Sequence, residues 1–334
     1  MSVTNPTPEW LAEDVRSDTI VVCGVMMGLS IATFVMRIGS RHIKGGSFML
    51  SDYLALAGLV SSLVISIIVL NNARLGVGLH VNRVSFGNIR TIMLTSWIGQ
   101  LFYGIGFTVI KLSILRLYQQ IFPSQLVNIG SYVLGAASLM WGIAYILVAI
   151  FECDPVQGYW DFTIQSRCLS QLDFYIGFAV PNMVIDLAMM LLPIRNIWEL
   201  QLPSRVKLGI VGIFALAGLV IIASGLRIHF LLTMDPMDVT FTYVGAAVWS
   251  AVEINVAVMC CCLPTVRPVV NWIIGSVAKL VSTNRFTRSS SSKWTRTDDA
   301  ESGFGSGYPS KIHSHNSRER ETDTYNLTDT SIRV

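Results

Sequence analysis

Charged residues are scarce in this chain, and over long stretches they are missing altogether. Asp, Glu, Lys and Arg make up 13% of its 334 residues, against 52% that are hydrophobic. Seven apolar runs fill Thr19 to Leu263: Thr19–Met36, Tyr53–Leu70, Thr91–Ile110, Leu126–Phe151, Phe174–Ile194, Leu208–Leu226 and Val239–Leu263. Five contain no charged residue, and the other two carry one acid each, Asp186 and Glu253. A hydrocarbon core needs roughly 20 apolar helical residues to cross. Buried helices of soluble proteins are rarely this long. Only helices and closed barrels satisfy their backbone in lipid. The runs do not alternate, which excludes a barrel. The expected fold is therefore all-α, a polytopic seven-transmembrane helix bundle in a lipid bilayer.

Other absences narrow the function. The six cysteines lack zinc-site spacing. No nucleophile motif or spaced acid–base pair supports an enzyme, and no metal or cofactor is expected. No nucleic-acid partner is expected either. The first 18 residues hold Glu9, Glu13, Asp14 and Asp18 without a basic n-region. A cleaved signal peptide is therefore not expected, and Thr19–Met36 reads as a retained span. The seven runs show no internal repeat of the kind common in transporters.

Charge placement sets the orientation. With the N-terminus outside, Arg37, Arg41, Lys44, Lys111, Arg116, Arg195, Arg205, Lys207, Arg267, Lys279, Arg285 and Arg288 all fall on the cytoplasmic side. The outer segments hold Arg16, Arg74, Arg83, Arg90, Arg167 and Arg227. The positive-inside rule favours N-out and C-in, with the three Arg between spans 2 and 3 in dissent. Cys153 and Cys168 then lie in an oxidising outer loop, as a short-range disulfide or as two free thiols. Cys260, Cys261 and Cys262 lie at the inner end of span 7, as palmitoylation sites or as small packing residues.

The expected domains are an extracellular N-terminus over 1–18, a membrane domain over 19–265, an amphipathic helix over 269–281 and a disordered tail over 282–334. Val269, Ile273, Val277 and Leu280 sit at helical spacing, as in a helix lying on the inner surface. The tail is rich in Ser, Thr and Gly, so it cannot bury enough apolar surface to fold, and phosphorylation is open to it. Asn326-Leu327-Thr328 fits a glycosylation pattern on the wrong side of the membrane. Pro193 and Pro264 read as helix stops, and Trp160, Trp198 and Trp272 as interfacial anchors.

Ionisable groups at membrane depth are functional candidates by default. Asp186 lies inside span 5, one turn after Asn182 on the same face. Lys111, near the inner end of span 3, could reach Asp186 by snorkelling, as a packing tie or a switch. Glu253, near the middle of span 7, has no evident cation at its depth. It is the leading candidate for a ligand or proton site. His80 follows the glycine turn Gly76-Val77-Gly78, as a ligand-facing group or an exposed bystander.

Several blocks together resemble the fungal rhodopsin-domain integral membrane proteins, the satratoxin-cluster-type group related to Pth-type fungal receptors. They are Tyr103 with Lys111-Leu112-Ser113-Ile114-Leu115, Tyr118 and Phe122-Pro123; Phe151, Cys153 and Pro155 with Trp160 and Cys168; Asn182, Asp186, Leu192-Pro193 and Trp198; and Glu253 with Cys262-Leu263-Pro264 and Arg267-Pro268. The glycine turn with His80 also fits. The resemblance covers about residues 20–270. The chain departs from the pattern at Ser51-Asp52-Tyr53, where the family usually has two acids and a Trp. The cysteine-rich ectodomain of some Pth-type receptors is not expected.

Retinal chemistry needs a Lys in the last span for a Schiff base, and Val239–Leu263 has none. The acid-Arg-aromatic triplet of common G-protein-coupled receptors is missing at Ile114-Leu115-Arg116-Leu117-Tyr118. Two functions remain in contention. One is receptor-like sensing of a small-molecule ligand, with a heterotrimeric G protein as partner, in the plasma membrane. The other is an accessory or transport role for a metabolite in a fungal secondary-metabolite (mycotoxin) pathway, in that membrane or an internal one.

Overall fold

The computed structural model describes residues 14–43, 45–121, 124–194, 204–234 and 238–286. Side chains over 266–286 and most of 204–217 fall outside that description, as do the expected tail from 287 and Trp198. The chain divides into two units, Met1–Val281 and Ser282–Val334. The first contains α1 (Arg16–Ile43), α2 (Leu50–Leu75), α3 (Phe86–Ile121), α4 (Gln125–Ile150), α5 (Gln171–Leu191), α6 (Ser204–Leu232) and most of α7 (Val239–Phe286). Six of these seven helices are long and apolar enough to cross a membrane, and α6 adds the apolar stretch Gly218–Leu232. The 26 residues of α2 or α4 rise about 39 Å, more than the roughly 30 Å of a hydrocarbon core.

Helix starts follow local chemistry. Ser124 caps α4 by accepting from Val127 N at 3.3 Å. Ser170 caps α5 by accepting from Asp173 N at 3.5 Å. In the first turn of α2, Asp52 Oδ2 accepts from Met49 N at 3.0 Å. Gly76 then ends α2 at φ 125°, and Gly78 follows at φ 101°, conformations that exclude most side chains. That turn lets Gly78 N donate to Thr240 O at 2.9 Å, joining the α2–α3 loop to the start of α7.

The distribution of polarity is inverted relative to a soluble protein. Val21 is 63% exposed and Met140 66%, whereas Arg37 and Glu253 are 0% exposed and Lys111 is 2%. Large apolar groups face outward along α1 to α5, which suits lipid and would not suit water, while the span of α7 is the most buried. The chain is a multi-pass membrane protein.

Beyond α4, a short loop is closed by the Cys153–Cys168 disulfide. These cysteines are paired in a two-stranded antiparallel ribbon, β1 (Cys153–Asp154) with β2 (Arg167–Cys168). Closing a loop of this length restricts the unfolded chain by about 3 kcal/mol in the chain-entropy account. Trp160 of the same loop packs on Trp97, with ring centroids 5.3 Å apart.

The expected stop at Pro264 is not observed, because α7 runs through it to Phe286. A proline removes one donor and crowds the preceding turn. Here that turn is held from the side. Arg37 Nη1 donates to Cys261 O at 2.7 Å, and Thr265 Oγ1 donates to Cys262 O at 2.7 Å. Pro193, by contrast, lies just past the end of α5 at Leu191. Residues 269–281 are helical and continuous with α7, while the side chains of their apolar stripe lie outside the described residues.

Close packing of α3 rests on small residues. A Cβ on Gly106 would sit 2.7 Å from Ile254 Cδ1 of α7 and 2.8 Å from Ser61 Cβ of α2. In a membrane, where helices gain little from leaving lipid, such close approach supplies much of the association energy. Gly106→Val should therefore destabilise the bundle by about 1–3 kcal/mol through overpacking. Gly87→Val, where a Cβ meets nothing within 4 Å, should cost less. Thermal unfolding of the two purified variants in one detergent tests the difference.

Candidate functional site

Among the described residues, three buried ion pairs link one helix to another. The first joins α1 and α2: Arg37 Nη2 lies 2.8 Å from Asp52 Oδ1, and Arg41 Nε lies 3.1 Å from Asp52 Oδ2. Arg37 also holds the Cys261 carbonyl of α7. Cys261 Sγ donates to Ser113 Oγ at 3.1 Å, and Ser113 Oγ donates to the Ser51 carbonyl at 2.6 Å, so α3 joins the same cluster.

The second pair joins α3 and α5. Lys111 Nζ lies 3.2 Å from Asp186 Oδ1 and donates to Asn182 Oδ1 at 2.7 Å. Asn182 Nδ2 donates to Asp186 Oδ2 at 3.3 Å. Pro181 interrupts the α5 ladder just before Asn182. Neighbouring carbonyls there accept from side chains: Phe178 O from Trp141 Nε1 at 3.0 Å, and Asn182 O from Lys111 Nζ at 3.2 Å. Lys111 also sits 5.4 Å from the centre of the Trp141 ring.

The third pair corrects the reading of Glu253 as an acid without a cation. Arg227 Nε lies 3.4 Å from Glu253 Oε2. Tyr103 Oη donates to the same oxygen at 2.8 Å, and Ser224 Oγ donates to Oε1. The Arg227 guanidinium lies 4.7 Å from the Tyr103 ring centre. Hydropathy places Arg227 at the end of a span, but α6 continues to Leu232 and turns the side chain inward.

One cavity opens at this third pair and another at the second. One, of about 60 Å³, is lined by Tyr103, Tyr145, Tyr175, Tyr243, Gln100 and Arg227 among others. At about one water per 10–15 Å³ it has room for on the order of four waters. The second, of about 50 Å³, has Lys111 and Asp186 on its wall with Phe107, Met189 and Cys260. Of the predicted site residues, Lys111, Asn182 and Asp186 thus meet in one cluster. Glu253 belongs to another, and His80 lies apart from both.

His80 is buried rather than exposed. Its Nδ1 pairs with Asp238 Oδ2, its ring stacks on Phe241 with centroids 4.2 Å apart, and Val81 N donates to Asp238 Oδ1 at 2.9 Å. These contacts fasten the α2–α3 loop to the start of α7. Cys260, Cys261 and Cys262 are all buried free thiols, so the palmitoylation reading has no exposed sulfur at these positions.

The sequence profile described as "Fungal rhodopsin domain" matches residues 36–272. The chain belongs to that family. Among its curated relatives, the Wortmanamides biosynthesis cluster protein C of Talaromyces wortmannii is 30% identical over 50% of this chain and 46% of its own length. The Satratoxin biosynthesis SC1 cluster protein 4 of Stachybotrys chartarum is 26% identical over 50% of this chain and 61% of its own length. The Receptor GIN3 of Arthrobotrys oligospora is 23% identical over 73% of this chain and 59% of its own length. The chain thus spans less than two thirds of each of these relatives. No solved structure matches.

Within this fungal rhodopsin domain, the departure at Ser51-Asp52-Tyr53 has a structural sense. Asp52 is the acid that Arg37 and Arg41 share, and Ser51 offers only its carbonyl to Ser113. Sequence reasoning also missed Glu152. It lies two residues past the end of α4, is 2% exposed, and neither carboxylate oxygen has a hydrogen-bond partner among the described residues. Burial pushes its carboxyl from the ordinary 4.5 up to about 7. Its only sequence signal is its place beside the disulfide cysteine Cys153.

Removing one partner of a buried pair strands the other charge. Asp52→Leu, which leaves the buried Arg37 without its acid, should cost about 3–5 kcal/mol, whereas adding Arg37→Met should recover most of that loss. Unfolding of both variants in mixed micelles measures it. Glu152 sets a second expectation. The folded protein holds the Glu152 proton more tightly than the unfolded chain does. The contribution is complete at pH below the ordinary 4.5 and is lost as pH rises to about 7. Glu152→Gln should therefore raise the melting temperature at pH 8 and leave it unchanged at pH 4.

Proposed function

We propose that this protein is a receptor-like sensing and signalling membrane protein that works without retinal. In this reading the disulfide end faces outside, in the plasma membrane, and the Arg37–Asp52 cluster faces the cytoplasm. The larger cavity takes a small-molecule ligand, and a heterotrimeric G protein is the expected partner inside.

One observation carries the reading. Glu253, fixed by Arg227 and Tyr103 on the cavity wall, and Cys261, held by Arg37 in the other cluster, lie on the same helix. Eight residues of helix separate them, about 12 Å. A ligand that prefers one arrangement of Arg227 and Glu253 would bias α7, and α7 would carry that bias to the Arg37–Asp52 cluster. The likeness to a relative named as a receptor supports this reading.

The second cavity, at Lys111 and Asp186, favours an alternative. A second cavity with an ion pair on its wall suits an accessory or transport component of a secondary-metabolite pathway, as do relatives named for biosynthesis clusters. A deletion strain complemented with wild type, Glu253→Gln or Asp52→Asn separates the two. The receptor reading expects both variants to lose the response to external chemical cues while secreted metabolites stay unchanged. Loss of one secreted metabolite class, with cue responses intact, would overturn it in favour of the pathway role.

A further inference from the structure

Arg227 stands on the wall of the tyrosine-lined cavity with its donors unused. Only 5% of the residue is exposed. A guanidinium carries N–H donors on Nε and on both Nη atoms and has no acceptor. Arg227 Nε lies 3.4 Å from Glu253 Oε2, within range of an ion pair, but it makes no hydrogen bond, and Tyr103 Oη donates to that oxygen instead. Neither Nη makes a hydrogen bond among the described residues; the guanidinium rests only against the Tyr103 ring. Arg37, buried as deeply, donates from Nε to Asp52 Oδ1 at 2.9 Å and from Nη1 to Cys261 O at 2.7 Å. Buried donors are nearly always satisfied, so the unused ones of Arg227 mark a missing acceptor.

Other polar groups on the same wall are engaged with their neighbours. Asn72 Nδ2 donates to Ser96 Oγ at 3.3 Å, Gln100 Nε2 to Tyr175 Oη at 2.7 Å, and Ser250 Oγ to Ala246 O at 2.7 Å. Tyr145 Oη, like the two Nη groups, makes no hydrogen bond among the described residues. These three atoms are not sealed in the protein, whereas Arg227 Nε and Gln100 Oε1 are. The cavity therefore presents donors. Charge narrows the choice of acceptor. Glu253 already matches Arg227, so a carboxylate would leave one buried negative charge in excess, which is costly. An ammonium would bring donors to donors. An uncharged carbonyl oxygen accepts two hydrogen bonds and donates none. Ile65, Ile68 and Val69 supply an apolar surface for a short hydrocarbon body.

We propose that this cavity binds a small uncharged carbonyl compound, such as a short ketone, ester or lactone, whose oxygen accepts from Arg227 Nη and Tyr145 Oη. The proposal rests on the reading of this cavity as the ligand site and adds the ligand's chemical class. Room for on the order of four waters limits the ligand to about four to six heavy atoms.

The test follows thermal unfolding of the purified full chain in nanodiscs at pH 7 against butanone, sodium butyrate, butylammonium chloride and potassium chloride. Butanone should raise Tm saturably, and the two organic ions should do no more than potassium chloride. Tyr145→Phe, which keeps the ring, should weaken butanone about three- to tenfold. Arg227→Met combined with Glu253→Gln, which strands no charge, should abolish the saturable shift. The infrared band of carbonyl-labelled butanone bound to the wild type reads the hydrogen bond directly and should lie below its frequency in hydrocarbon. A band at the hydrocarbon frequency, or an affinity unchanged in Tyr145→Phe, overturns the proposal. A saturable shift with butyrate or butylammonium in place of butanone keeps the cavity as a ligand site and overturns the carbonyl class. No saturable shift with any probe overturns both.

Discussion

A charge buried in this bundle is costly unless its counter-charge lies within reach. The Arg37–Asp52, Lys111–Asp186 and Arg227–Glu253 pairs meet that demand at three separate places. Each draws on different helices, and together they touch α1, α2, α3, α5, α6 and α7. Helix association in lipid has little hydrophobic drive, so such pairs and the close glycine contacts of α3 select which faces meet. A pair like this adds little net stability over a well-packed apolar core. Its loss on one side, however, strands the partner. The pairs therefore act mainly as specificity devices, fixing rotation and depth for helices whose lipid-facing surfaces are otherwise interchangeable.

The same demand explains why the irregular turns lie where they do. Pro181 and Pro264 each disturb a helical ladder inside apolar surroundings. At both places side chains of the ion-pair clusters supply donors to nearby carbonyls. Lys111 and Trp141 serve Asn182 and Phe178, and Arg37 serves Cys261. A proline kink exposes carbonyls, and a buried cation with several donors can use them. Charge clusters and helix irregularities thus support one another, and the points where helices deviate are the points where they are tied.

Much of this was legible in the sequence. Uncharged runs located the helices, because hydrocarbon thickness translates directly into run length. The Lys111–Asp186 pair followed from depth alone, since both groups lie in the same half of the bundle. Arg227 did not. Leu208–Leu226 is already long enough to span, so Arg227 falls just outside it by composition, whereas Asp186 and Glu253 lie within their runs. His80 was misjudged for a related reason. Loop position suggests exposure, but its burial depends on Asp238 and Phe241, more than 150 residues away in sequence. Glu152 left almost no local trace. Its burial is set by tertiary packing where α4 meets the disulfide loop, and no periodicity reports that.

The tyrosine-lined cavity meets the third ion pair through Arg227 and Tyr103, both on its wall. Glu253 is held by three groups, Tyr103, Ser224 and Arg227, so it resists change unless one of them moves. Arg227 has an alternative partner in the Tyr103 face it already covers. Any shift of Arg227 alters the hold on Glu253, and through it on α7. Coupling between the mouth of the bundle and its opposite end then requires no long wire of contacts. It needs only one rigid helix whose two anchors, Glu253 and Cys261, answer to different ion pairs.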